Sequence, residues 1–311
     1  MSKVLAERRG QLGLITLNRP EALNALDLEM IDAIGAALHD FAAEPLVQSV
    51  AIISASAKAF CAGGDVRAAV TARPEQAATF FRHEYRLNYA IATYEKPLFA
   101  IVDGLCMGGG LGLSVHAKHC LVTENALMAM PEMAIGLFPD VGGGSFLNRH
   151  SLELGLFIAL TGARLDAGDA LYAHLANGYL PAANIYDLLS ALEHGRPFAA
   201  FLAPAPEGQL ASQNLEVHLE RLHGSPTSMR ITIKHLTESR GQDLKAILSA
   251  EYRLACACLR GNDFKEGVRA MLIDKDKQPK WHPPTLAGVS DINVRLHWAE
   301  PFGPELFDTT V

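Results

Sequence analysis

Segments of strand length alternate with segments of helical length through the first 130 residues, and that rhythm restricts the chain to an α/β fold. GLITLN (13–18) reads as a strand. Pro20-Glu21-Ala22 then opens a helix through Leu23, Leu26, Met30, Ile34 and Leu38, apolar residues three or four apart. The pattern returns in the strand VAIISAS (50–56), the loop AFCAGGD and a helix over 74–94 that carries Phe81, Tyr85 and Asn88. It returns again in the strand PLFAIVDG (97–104) and a helix over 108–116 that begins on a run of glycines. HCLVTENALMAM (119–130) reads as two short strands stopped by Pro131.

From Ser145 the chain turns helical in SFLNRH, LELGLFIALTG and DAGDALYAHLA, and no internal repeat of solenoid period is evident. A polar, proline-rich passage near 197–226 reads as a boundary. Beyond it PTSMRITIKHL and DLKAILSAEYRLACACL are amphipathic helices, and DKDKQPKWHPP is an extended surface segment. The expected division is a core over residues 1–200 and a helical C-terminal region over 201–311. With 311 residues, 49% of them hydrophobic, the chain can bury a core without staples. A net charge of -7 with no basic run argues against nucleic acid as a partner. No apolar run approaches the ~20 residues of a membrane span. The five cysteines (61, 106, 120, 256 and 258) follow no pairing pattern, and MSKVLAERRG runs into the first strand without an apolar or Arg/Ser-rich leader. The expected compartment is the cytoplasm.

Two stretches carry chemistry. Gly104 to Gly112, GLCMGGGLG, lets backbone amides approach a ligand without side-chain obstruction. Ala129 to Gly144, AMPEMAIGLFPDVGGG, sets Glu132 and Asp140 among Met130, Ile135, Leu137 and Phe138. A carboxylate with such neighbours is costly to desolvate, so it must be paired, hydrogen-bonded or raised in pKa, and a raised carboxylate is a usable base. A structural reading stands beside this one: Glu132 opens a helix after Pro131, and Asp140 caps the glycine turn. Cys61 has no basic neighbour in sequence and reads as packing. His116 and His119 complete no metal-ligand spacing, and Cys256 and Cys258 lack a second pair. The glycines have neither the dinucleotide spacing nor a Walker lysine.

LNRPEALNAL, AFCAGGDV, KPLFAIVDGLCMGGGLGLSVHA and PEMAIGLFPDVGGGSFL, in that order, resemble the signature segments of the crotonase (enoyl-CoA hydratase/isomerase) superfamily. HEYRLN, the FPD triplet, SPTSMRITIKHL and EYRLACACLRGNDFKEGVRAMLIDKDKQPKW resemble its 3-hydroxyisobutyryl-CoA hydrolase branch. The resemblance implies a spiral of repeated ββα units with a C-terminal helical region. It implies that the amides of Gly64 and Gly109 hold a thioester carbonyl, worth roughly 3 kcal/mol per donor as charge develops on the oxygen. It further implies that Glu132 and Asp140 are catalytic and that Glu84 lies near the acyl group. Hydratases carry a second glutamate at the position of Gly112, and its absence withdraws one of their two acid/base groups.

The expected activity is therefore hydrolysis of a short hydroxyacyl-CoA of valine catabolism. Coenzyme A is part of the substrate, and neither cofactor nor metal is expected. Isomerisation or hydration of an enoyl-CoA, and a non-enzymatic binding role, are the alternatives. The expected partner is an acyl-CoA, with no nucleic acid and no membrane; crotonases are often trimers or paired trimers, so a homo-oligomer stays open.

Overall fold

A computed structural model describes residues 2–210, 222 and 224–308. These form two compact units, one of residues 2–64, 87–129 and 164–210, the other of residues 65–86, 130–163, 222 and 224–308.

The first unit holds all nine strands of the described residues: β1 (Val4–Arg9), β2 (Leu12–Leu17), β3 (Ser49–Ser54), β4 (Ala59–Cys61), β5 (Leu98–Val102), β6 (Leu105–Met107), β7 (His119–Val122), β8 (Leu127–Ala129) and β9 (Gly178–Tyr179). They make a six-stranded sheet in the order β1-β2-β3-β5-β7-β9 and a three-stranded sheet in the order β4-β6-β8. Three successive segments (β3–β4, β5–β6, β7–β8) each give one strand to the large sheet and the next to the small one. That is the ββα repeat, with the helix supplied by Pro74–Ala92 after β4 and by Gly109–Ser114 after β6. From β2 onward the large sheet is parallel, and its central strands are continuous apolar runs because both faces are covered. Leu12, Leu14, Phe99, Ile101 and Leu121 of these strands pack with Leu188 and Leu192 of the Ile185–Glu193 helix.

One expected helix begins later than the sequence suggests. Pro20–Ala22 is a single tight turn, and Leu23 and Asn24 follow in left-handed conformation with φ of 52° and 55°. The buried Asn24 amide donates to Ser54 Oγ (2.8 Å) and the Phe60 carbonyl (2.9 Å), bonds that require this turn. The helix proper is Leu28–Ala43, capped by Asp27, whose side chain accepts from the Met30 amide at 3.0 Å.

In the second unit, Pro226–Ser239 and Leu244–Arg260 are capped by Ser225 and Asp243 and pack on Leu152–Thr161 and Gly143–Phe146. The helical C-terminal region is thus grouped with residues 130–163 and 65–86. Part of the passage expected as a boundary, 211–221 and 223, lies outside the described residues. Residues 275–281 are irregular, as expected of the charged, proline-bound segment. Residues 302–308 run along the Pro74–Ala92 helix: Arg82 donates to the carbonyls of Phe302 and Pro304 (3.1 and 2.7 Å), and Arg86 to those of Leu306 and Asp308 (2.7 and 3.1 Å). Among the described residues no helix is long and apolar enough to cross a membrane.

Candidate active site

In the first unit two glycine loops leave the small sheet side by side. β4 runs into Ala62-Gly63-Gly64 and β6 into Gly108-Gly109-Gly110. Gly63 sits at φ 99°, and a Cβ there would stand 3.1 Å from the Met107 carbonyl and 3.6 Å from the Gly109 nitrogen. Gly110 approaches β4 so closely that a Cβ would meet the Cys61 carbonyl at 2.4 Å. Only glycine permits that contact. Gly109 opens its helix, where an N–H has no intrahelical acceptor. The segments carrying Gly64 and Gly109 are brought together, and Gly112 is buried inside the Gly109–Ser114 helix. Cys61 is fully buried with its thiol 3.9 Å from the Gly63 carbonyl.

The three acids lie in the second unit. Glu84 comes from the Pro74–Ala92 helix, Glu132 opens the turn Glu132–Ile135 after Pro131, and Asp140 follows Pro139. They are 2%, 5% and 4% exposed. Glu84 Oε1 and Glu132 Oε2 have no hydrogen-bond partner among the described residues, whereas Asp140 Oδ2 accepts from the Tyr85 hydroxyl at 2.6 Å.

Burial raises all three acids. Glu84 is driven well above the usual carboxyl range by burial and then by Asp140 and Glu132, and Glu132 by burial and then by Asp140. Asp140 is pushed up to about 7 by burial, with the Tyr85 hydroxyl favouring its charged form and Glu251 opposing it. Three carboxyls in mutual repulsion cannot all ionise, so the cluster holds protons near neutrality and can give or take one at low cost. The structural reading of Glu132 and Asp140 as opener and cap is in part true of Glu132, which does begin a turn. Neither side chain is used up by that role.

The backbone around the acids is tightly determined. Gly136 ends the turn at φ 69°, and a Cβ there would stand 2.4 Å from the Asp263 carbonyl. Ser225 donates its amide to the Met133 carbonyl (3.1 Å) and its hydroxyl to Asp263 (2.5 Å). After Asp140 the chain turns through Val141 at φ 52°, a strained conformation for a β-branched residue. Glu251 accepts from the amides of Gly142 (2.6 Å) and Gly144 (3.1 Å) and contacts His235 Nε2 at 2.9 Å.

Tyr85, His235 and Glu251 are functional candidates that the sequence reading passed over. A signal was present for Glu251. It sits three or four residues from Ile247, Leu248, Leu254 and Ala255, in the middle of an apolar helix face where a solvated acid has no place.

Comparison with known proteins identifies the family. The family model for enoyl-CoA hydratase/isomerase matches residues 12–221 and 202–297. The 3-hydroxyisobutyryl-CoA hydrolase, mitochondrial, of Rattus norvegicus is 41% identical over 341 residues, 96% of this chain and 89% of its own length. The Homo sapiens protein of the same name is 39% identical over 346 residues, 95% of this chain and 88% of its own. Among solved structures, an enoyl-CoA hydratase from Rhodobacter sphaeroides superposes with a TM-score of 0.90 at 36% identity, covering 98% of this chain and 99% of its own. A carnitinyl-CoA dehydratase from Mycobacterium thermoresistibile gives 0.91 at 34%, with 98% of each chain covered. With the ββα repeat, the paired glycine loops and the matches in agreement along nearly the whole length, the chain belongs to the enoyl-CoA hydratase/isomerase family, the crotonase superfamily.

Proposed function

We propose that this protein hydrolyses a short hydroxyacyl-CoA thioester of the 3-hydroxyisobutyryl-CoA type to the free acid and coenzyme A. The observation that carries the reading is the buried pair Glu132 and Asp140, combined with glycine at position 112. Two relatives near 40% identity over almost the full chain bear the name of that hydrolase. Hydration needs a second carboxylate where Gly112 stands.

In this reading the amides of Gly64 and Gly109 donate to the thioester oxygen and stabilise the charge that develops there. Glu132, with an oxygen not engaged by the protein, acts on the acyl carbon, either by taking a proton from water or by attacking to form an anhydride that water then opens. The C–S bond breaks and the thiolate leaves, taking the proton that Glu132 drew from water in the first route, or one from protonated Asp140 in the second, which the water that opens the anhydride then restores. Asp140 orients the substrate hydroxyl or the attacking group and holds a proton in the exchange. Glu84 lies near the acyl chain. No step calls for a metal or an organic cofactor.

Five buried cysteines, all free, support a reducing compartment, and we propose the cytoplasm, although the named relatives are mitochondrial. Cell fractionation tests that placement. The activity is tested by following thiol release from a panel of hydroxyacyl, plain acyl and enoyl-CoA esters while recording enoyl absorbance. Thiol release with preference for 3-hydroxyacyl esters is the expected result. Strong hydration of crotonyl-CoA without thiol release overturns the reading.

A further inference from the structure

Glu251 is fully buried and takes no part in the chemistry proposed above, yet it holds the loop that presents Asp140. Its Oε2 accepts from the Gly142 amide at 2.6 Å; its Oε1 accepts from the Gly144 amide at 3.1 Å and faces His235 Nε2 at 2.9 Å. His235 is itself tied at Nδ1 to Ser239 Oγ (3.3 Å) and meets the ring of Phe138 edge-on at 5.8 Å. A Cβ at Gly144 would stand 2.4 Å from Ser239 Oγ and 2.8 Å from His235 Nε2, so the loop is seated against this pair with no room to spare. The strained Val141 lies between Asp140 and the first of the two anchored amides. Release of those amides would let Val141 relax and carry Asp140 away from Tyr85.

We propose that Glu251, held by His235, is a positioning residue that sets both the orientation and the protonation of Asp140; the proposal rests on the hydrolase reading for its catalytic consequence. The titratable groups coupled to Asp140 come from several elements. Tyr85 of the Pro74–Ala92 helix and Glu251 of the Leu244–Arg260 helix act on Asp140 directly, Asp140 in turn raises Glu84 on the first helix, Glu132 on the turn and Cys258 on the second, and His235 of the Pro226–Ser239 helix is joined through Glu251. Tyr85 stabilises the charged form of Asp140. Burial is what chiefly raises Asp140, and Glu251 adds to it by disfavouring the charged form.

The test compares wild type with Glu251→Gln and Glu251→Asp, by kcat and KM for thiol release across pH and by infrared titration of the Asp140 carboxyl, assigned with Asp140→Asn. Glu251→Gln removes the charge and turns an acceptor into a donor facing an amide. It should lower kcat at pH 7 about tenfold or more, leave KM within about threefold, and move the Asp140 titration to lower pH by about half a unit or more. Glu251→Asp keeps the charge and withdraws the carboxylate from the amides, so kcat should fall while the Asp140 titration does not move to lower pH. A titration and a kcat in Glu251→Gln that match wild type overturn the proposal. If Glu251→Gln does not fold, a wild-type kcat in Glu251→Asp overturns it instead. Absence of thiol release from every ester in wild type refutes the hydrolase reading alone, because the titration shift still decides whether Glu251 governs Asp140.

Discussion

Replacing Asp140 by asparagine should make the protein more stable at alkaline pH while it abolishes the proposed reaction. Burial lifts Asp140 from 3.8 to about 7 in the folded chain, so the folded state binds more protons than the unfolded state between those values. Stability from this group is full below the unfolded pKa and is lost as pH rises through the folded one. At 1.36 kcal/mol per pKa unit, the loss above neutrality is about 2–4 kcal/mol, the lower figure allowing for partial relaxation around the buried charge. Asparagine keeps an oxygen that can accept from the Tyr85 hydroxyl but never ionises. Urea unfolding at pH 4.5 and pH 8 reads the difference directly. Wild type should fall well below Asp140→Asn at pH 8 and lie close to it at pH 4.5, and thiol release by the variant should drop by about 100-fold or more. A stability gap between the two proteins that is the same at both pH values refutes the argument that a buried charge is being formed.

Glu132→Gln should reduce thiol release by at least about 100-fold with an unchanged circular dichroism spectrum; turnover within threefold of wild type removes Glu132 from the chemistry. Gly112→Glu places a carboxylate in a fully buried helix, so it should depress hydrolysis and introduce measurable hydration of crotonyl-CoA. Hydrolysis at the wild-type rate in that variant shows that position 112 does not line the acyl site. Gly144→Ala should cost about 1–3 kcal/mol, because the new Cβ falls 2.4 Å from Ser239 Oγ. An unshifted Tm shows that the Asp140 loop is not seated as described.

The inner strands of the large sheet, β2, β3, β5 and β7, were legible in sequence because burial on both faces makes them unbroken apolar runs, as in LFAIV of β5. β4, β6 and β9 were not, since two or three residues are too few to display a period and two of the three sit beside glycine loops. β1 is an exposed edge with a single buried residue, Val4, and its partnership with β2 is a long-range fact that no local pattern records. The helix expected from Pro20 failed for a comparable reason. The bonds that bend the chain at Asn24 reach residues 54 and 60. At the site, Glu132 and Asp140 were picked out by acidity in apolar surroundings and Glu84 by the family resemblance, and the structure buries all three. Tyr85 read as one more aromatic on an apolar face, and its hydroxyl acquires meaning only once Asp140 is folded against it.

Arg82 and Arg86 bracket Glu84 on one helix, and both spend their guanidinium groups on main-chain oxygens of residues 302–308. Arg253, paired with Glu305, and Arg260, stacked on Phe302, fasten the same stretch from another helix. A protease that nicks the chain after Trp298 would therefore do more than trim its end. On the helix that bears Glu84, it would strip Arg86 of the carbonyls of Leu306 and Asp308 and Arg82 of those of Phe302 and Pro304, leaving Arg82 its bond to the Tyr252 hydroxyl.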